Sequence, residues 1–214
     1  MRRLLVYTFL LVLVSSPSWA QYDAKALDIL DGMSAKYKSI DSYKAGLSNT
    51  LVNEVENLSE EFSGEIVVKG DMYKLTISGQ VIINNGVTIW TYLEEVNEVN
   101  ITDYDPEEDE ITPSKIYDLY KDGYKYIWLE EATYQGSKYD VIDLVPENKE
   151  SQFFKIRMEI KQADKTLKGW KMYDKTGNIY GYDISNFQSD LNVEDSFFVF
   201  DLSAHNGVEV IDFR

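Results

Sequence analysis

From Ala24 to Ser39 the apolar residues Ala26, Ile29, Leu30, Met33 and Tyr37 recur at spacings of three and four, with Asp28, Asp31 and Lys36 between them. That is the period of an amphipathic helix. From Tyr43 onward the period falls to two: Tyr43, Ala45, Leu47, Leu51 and Val55 share one side, and Lys44, Ser48, Thr50 and Glu54 the other. The helix therefore leads into a long strand. The stretch Glu61 to Leu93 reads as short strands split by Gly70, Gly79 and Asn85-Gly86, and within it Tyr73, Leu75 and Ile77 alternate with Lys74 and Thr76. Asn85-Gly86 predicts a type I′ hairpin turn.

After a strand at Glu98 to Thr102 comes an acidic run, Asp103 to Glu110. Thr112 then stands as an N-cap and Pro113 at the first helical position. Ile116, Leu119 and Tyr120 line one side of this second short helix, which Gly123 ends. Strands are predicted again at Tyr126 to Ala132, Tyr139 to Val145, Phe153 to Lys161, Leu167 to Tyr173, Ile179 to Phe187 and Phe197 to Phe200. In Phe153 to Lys161, Phe154, Ile156, Met158 and Ile160 oppose Lys155, Arg157, Glu159 and Lys161. The pattern is mainly β: about ten or eleven strands in antiparallel meander order, with two helices.

The first residues add a destination. Met1-Arg2-Arg3 is a positive head, Leu4 to Val14 an apolar run, and Ser18-Trp19-Ala20 a small-residue cleavage site. Residues 1–20 read as a secretory signal peptide, leaving one domain over 21–214. The apolar run is shorter than the roughly 20 residues that span a bilayer. The chain has no cysteine, so neither a disulfide nor a lipidated N-terminus is available, and an exported chain of that kind suits a bacterial periplasm. Without Arg2 and Arg3 there remain 19 basic against 37 acidic side chains, a net charge of −18. Nucleic acid is therefore a poor partner, since phosphate contacts need clustered Lys and Arg, and anionic lipid headgroups are expected to be repelled.

Candidate chemistry is thin. The only histidine, His205, lies in the polar stretch Ser203-Ala204-His205-Asn206-Gly207 and reads as a solvated turn residue. The alternating Asp103, Asp105, Glu107 and Asp109 imitate a calcium loop, but Glu108 stands where an EF-hand needs Gly and Ser114 where it needs Glu. No carboxylate pair stands out for glycoside hydrolysis. No catalytic residue, metal site or cofactor is expected. What remains is large apolar and aromatic side chains on sheet faces, among them Tyr73, Leu75, Trp90, Tyr92, Phe154, Met158, Trp170, Met172, Tyr180, Tyr182, Phe198 and Phe200. A core would use them, and so would a ligand cavity.

Several segments, in order, resemble one family. They are Ile40-Asp41-Ser42-Tyr43-Lys44-Ala45 after the helix, Gly64-Glu65-Ile66-Val67-Val68-Lys69, Met72-Tyr73-Lys74-Leu75, Asn85-Gly86-Val87-Thr88-Ile89-Trp90-Thr91-Tyr92, and the closing Asp195-Ser196-Phe197-Phe198-Val199-Phe200 with Gly207-Val208-Glu209-Val210-Ile211. This order is similar to that of the LolA family, the periplasmic carriers of outer-membrane lipoproteins. The resemblance implies a half-open antiparallel barrel whose apolar cavity, lidded by helices, holds lipoprotein acyl chains. It also implies an inner-membrane lipoprotein-releasing ABC transporter as donor, an outer-membrane receptor or the membrane itself as acceptor, and a monomeric carrier. A sensor or generic lipid-binding module of the same fold is the alternative.

Carried over by position, Tyr73, Leu75 and Leu47 are the expected acyl-chain contacts. Alternation adds Ile66, Val68 and Ile77, and Trp90 and Tyr92 complete the expected site. Ile116, Leu119 and Tyr120 are the expected lid. Family members often carry Lys-Arg-Pro before the third strand, the Arg helping to hold the lid closed. Here the residues are Lys69-Gly70-Asp71, so that latch is missing.

Overall fold

The computed structural model describes residues 23–105 and 115–214. The predicted leader, the Thr112-Pro113 helix start and most of the acidic run lie outside the described residues. The first helix forms as its period predicts: α1 spans Ala24–Lys38 and buries Ala26, Ile29, Leu30, Met33 and Tyr37. Its N-cap, Asp23, accepts from the amides of Lys25 at 2.8 Å and Ala26 at 3.2 Å.

Among the described residues, twelve strands form one open sheet. They are β1 (Ser42–Asn53), β2 (Leu58–Lys69), β3 (Met72–Ile77), β4 (Gln80–Asn84), β5 (Thr88–Leu93), β6 (Glu98–Asp103), β7 (Tyr124–Tyr134), β8 (Ser137–Pro146), β9 (Phe153–Lys161), β10 (Leu167–Asp174), β11 (Ile179–Ser189) and β12 (Glu209–Asp212). Their order is β12-β6-β5-β4-β3-β2-β1-β11-β10-β9-β8-β7. From β1 at the centre the chain walks out to β6, restarts at the far edge with β7, and walks back to β11 beside β1. Two connections must therefore cross a face of the sheet. The β6–β7 connection brings residues 115–121 against α1 on one face, and the β11–β12 connection packs on the other.

Those crossings explain where the structure departs from sequence expectation. Phe197 to Phe200 is not a strand. Asp195–Phe198 is a 3-10 turn, and the chain crossing the outer face inserts Phe198 and Phe200 into a cluster with Val67, Ile83, Val99 and Ile101. The chain thus reaches the sheet edge from the opposite direction, and β12 pairs with β6 in parallel. The second helix is, among the described residues, only a 3-10 turn over Leu119–Lys121.

Asn85-Gly86 is also not a type I′ turn. Gly86 has φ +85, but Asn85 keeps a negative φ because its side chain accepts from the amides of Val87 and Thr88 at 3.0 and 2.8 Å. The type I′ pattern of two successive positive φ angles occurs instead at Ser78-Gly79 and Gln135-Gly136.

At the β7 edge Asp23 has a second task. Its carboxylate also accepts from the Trp128 amide at 3.0 Å, and its own amide donates to the Tyr126 carbonyl at 3.4 Å. Partial burial raises the carboxyl pKa, and the amide hydrogen bonds from Trp128, Ala26 and Lys25 outweigh it to leave the pKa lowered. Asp23→Ala removes a helix cap and the acceptor for an edge-strand amide together. The expected cost is about 1–2 kcal/mol, read by urea unfolding, whereas Asp23→Asn is expected to recover much of it.

Candidate functional site

Cross-strand register decides which side chains share a face, because directly paired residues point the same way. Tyr43, Ala45 and Leu47 pair with Val68, Ile66 and Gly64. Those in turn pair with Tyr73, Leu75 and Ile77. On the other flank Leu47, Asn49 and Leu51 face Ile184, Tyr182 and Tyr180, followed by Trp170 and Met172 on β10 and Met158 and Ile156 on β9. All of this is one continuous apolar face, the concave side of the sheet.

α1 and residues 115–121 cover only part of it. Under them Ile142, Leu144, Ile156, Met158 and Ile160 are sealed from solvent, with Ile66, Val68 and Tyr73 close behind. Beyond the cover Leu75, Ile82, Trp170, Tyr180, Tyr182 and Ile184 pack against the cluster yet stay half-buried. Leu47 and Ile77 are half-buried too. Six of the eight expected contacts (Leu47, Ile66, Val68, Tyr73, Leu75, Ile77) thus lie together on this face.

Trp90 and Tyr92 do not. Trp90 pairs with Ile83 and Tyr92 with Val81, whose neighbours on β3 are Lys74 and Thr76. That is the opposite face, where both pack against the Phe198 and Phe200 cluster. Between the innermost paired residues, Ile77 with Gln80 and Asn84 with Ile89, lie two and four residues, an even number in each case. Paired residues across them therefore differ in number parity, which separates even-numbered Trp90 and Tyr92 from odd-numbered Tyr73 and Leu75. The sequence carried that signal.

The expected lid residues meet the concave face: Ile116 and Tyr120 are buried in the main cluster and Leu119 packs on its edge. Sequence reasoning missed Tyr117, which a regular helix would turn away from that face. In the irregular segment that forms, Tyr117 is buried as well. Its ring stacks on Tyr37 of α1 with centroids 3.5 Å apart, and its hydroxyl lies 2.9 Å from that of Tyr43 on β1. Tyr37 in turn accepts from the Leu167 amide at 3.1 Å. Burial pushes the Tyr37 phenol up to about 12, and raises those of Tyr43 and Tyr117 further. All three stay neutral hydrogen-bonding groups at any physiological pH.

A polar clasp closes the same contact from outside. Asp118 accepts from the Ser34 hydroxyl and pairs with Lys38 and Lys121, each at 2.7 Å. Tyr120 donates to Asp31 of α1. Partial burial raises the Asp118 pKa, and hydrogen bonds from Lys121, Lys38 and Ser34 override it to hold the carboxyl at about 2.

The sign follows from linkage. A carboxyl depressed from about 3.9 in the unfolded chain stabilises fully above that value and loses its contribution as pH falls toward about 2. Because the ion pairs are substantially exposed, the effect is modest, about 1 kcal/mol or less. Melting curves of wild type and Asp118→Asn are expected to differ at pH 6 and to converge near pH 2.

Where the β2–β3 turn approaches the clasp lies a cavity of about 300 Å³, bounded by Tyr37, Tyr43, Val68, Gly70, Asp71, Tyr117 and Asp118 among others. Gly70 has no side chain to reach across it. Lys69 is committed to the outer face, donating to the Val193 carbonyl at 2.9 Å and to Asp195 at 2.7 Å.

His205 is not a solvated turn residue. It stacks on Phe200 at 4.4 Å and meets Tyr92 edge-on at 4.6 Å. Its Nδ1 bonds the Asp201 carbonyl, while Ser203 donates to the Asp201 carboxylate. The three residues therefore do not form a nucleophile–base relay. No group of His, Asp and Glu among the described residues is arranged to hold a metal ion. No described helix is long and apolar enough to cross a membrane.

Solved structures with this architecture include an uncharacterized conserved protein from Thermus thermophilus, 12% identical, with a TM-score of 0.60 over 88% of this chain and 99% of that one. LprF from Mycobacterium bovis is 12% identical at a TM-score of 0.51, covering 82% of this chain and 98% of that one. The lipoprotein LppX from Mycobacterium tuberculosis is also 12% identical at 0.51, covering 80% and 100%. At such identities the likeness establishes the fold. No curated protein matches the chain. The profile of the family described as outer membrane lipoprotein carrier protein LolA matches residues 71–201. A match over more than half of the sequence, on a sheet of this topology, makes the chain a member of the LolA family.

Proposed function

We propose that this protein is a periplasmic carrier that takes lipoprotein acyl chains onto the concave face and conveys them from the inner to the outer membrane. One observation carries the reading. The apolar face extends past α1 and residues 115–121, leaving Leu75 and Ile82 half-exposed on one side of β1 and β2 and Trp170, Tyr180, Tyr182 and Ile184 half-exposed on the other. Family membership supports a lipid-binding role for that surface.

Energetics supply the need for a carrier. At about 0.8 kcal/mol per methylene, a 16-carbon chain in water costs on the order of 12 kcal/mol. Nondirectional apolar contacts also let cargo pass onward without breaking many hydrogen bonds. The role is binding rather than catalysis. The proposed contacts are Leu47, Ile66, Val68, Tyr73, Leu75 and Ile77; Trp90 and Tyr92, on the other face, take no part. Ile116, Leu119 and Tyr120 form the lid. The leader at residues 1–20 directs export, a lipoprotein-releasing ABC transporter supplies the cargo, and an outer-membrane receptor or the membrane receives it from the monomeric carrier. The delipidated protein is expected to keep a triacylated lipoprotein soluble, one to one, in detergent-free buffer; aggregation of that lipoprotein in its presence would refute carriage.

A further inference from the structure

Trp170 occupies the middle of one register row, Asn49, Tyr182, Trp170, Met158, Ile142, that runs from the open part of the concave face to the part under α1. Its indole stacks on Tyr182 with centroids 4.6 Å apart and planes 10° from parallel. The ring is half-buried, but its Nε1 is shut off from solvent and meets no acceptor. The other described concave-face tryptophan, Trp128, donates its Nε1 to Asp140 at 3.0 Å.

An indole N–H can only donate. Burying one without a partner costs stability, and such a group in a native fold calls for a missing partner. A hydrocarbon chain offers no acceptor, whereas the carbonyl that ends an acyl chain does. The row neighbours Asn49, Tyr182 and Met158 are uncharged, and Lys168 is engaged with Glu159 and Asp183. A carboxylate would be buried there without a counter-charge, at high cost.

We propose that Trp170 Nε1 donates to the ester or amide carbonyl of a bound acyl chain, so that the concave face selects covalently linked acyl groups over free fatty acids and hydrocarbons. This rests on the reading of that face as an acyl-chain site. Presenting that N–H to the groove requires the indole to turn about its side-chain bonds, away from its stack on Tyr182. The hydrogen bond sets where the chain ends: the carbonyl lies at the Trp170 row, and the methylenes run along the apolar rows to either side.

The test compares methyl palmitate, palmitate and hexadecane as competitors for a bound fluorescent alkyl probe. The wild type is expected to prefer the ester over both others. Trp170→Phe trims apolar contact and so is expected to weaken hexadecane and ester alike by the lost area, and to weaken the ester about threefold to tenfold more than the alkane, the range of one net hydrogen bond. On the wild type, the ¹⁵N-labelled Trp170 indole signal is expected to shift downfield with methyl palmitate and not with hexadecane, a readout that needs no variant. Equal weakening of ester and alkane, or an indole signal indifferent to the ester, would overturn the inference and leave the carrier reading standing. Failure of the wild type to bind any of the three would overturn both.

Discussion

Leu75→Glu is expected to cut acyl-chain uptake at least a hundredfold while lowering the melting temperature by only a few degrees. Leu75 pairs with Ile66 on one side and Ile82 on the other, at the boundary where the covered core gives way to the open face. A carboxylate there can reach water in the empty protein, since the side chain is half-buried. Folding therefore loses only part of a leucine's transfer energy, about 1–2 kcal/mol. With a chain bound, the same carboxylate is enclosed by methylenes and must be desolvated without a partner, a penalty of several kcal/mol. Each 1.4 kcal/mol is a tenfold loss in affinity.

Tyr73 behaves differently. Read from alternation alone, Tyr73→Glu looks like a surface change that spares folding. In the structure Tyr73 is 7% exposed and part of the central cluster, so burial of that charge is expected to unfold the protein. Uptake assays joined to melting curves separate the two variants. A Leu75→Glu protein that folds and binds like wild type would remove the open face from the site.

Tyr117→Ala is expected to cost a large part of the stability. The residue joins three elements: it stacks on Tyr37 of α1, shares a hydroxyl contact with Tyr43 of β1, and belongs to residues 115–121. Truncation leaves a cavity and an orphaned Tyr43 hydroxyl, and large aromatic-to-alanine changes in cores cost about 3–5 kcal/mol. Tyr117→Phe keeps the stack and is expected to cost about 1 kcal/mol through the Tyr43 hydroxyl it leaves unpaired. Chemical unfolding of the two variants gives both numbers. Equal losses would mean that the hydroxyl pair, and not the stack, holds the segment down.

Much of this architecture could be read from periods of 3.6 and 2. α1 and the strand with Ile156, Met158 and Ile160 follow them closely because both elements present one dry side. Two things escaped that reading for physical reasons. Alternation says which residues of one strand share a face, but only turn length relates the face of one strand to the next. Alternation alone therefore groups Trp90 and Tyr92 with Tyr73, whereas the register puts them on the other side. Irregular segments have no period to read. Phe198 and Phe200 cross the outer face as a turn and extended chain, and Tyr117 points inward beside Ile116 where a helix would have separated them. Cover of the concave face by the β6–β7 connection is a consequence of strand order, which no local pattern encodes.

Carriage as proposed requires acyl chains to lie on the concave face and nowhere else. A triacylated lipopeptide with a photoreactive group near each chain end, bound to the delipidated protein and cross-linked, reports that directly. Labelled residues are expected on β1, β3, β10 and β11, among them Leu47, Leu75, Ile77 and Ile184. Labels concentrated on Trp90, Tyr92 and the Phe197 to Phe200 segment would rule out the concave face as the acyl-chain site.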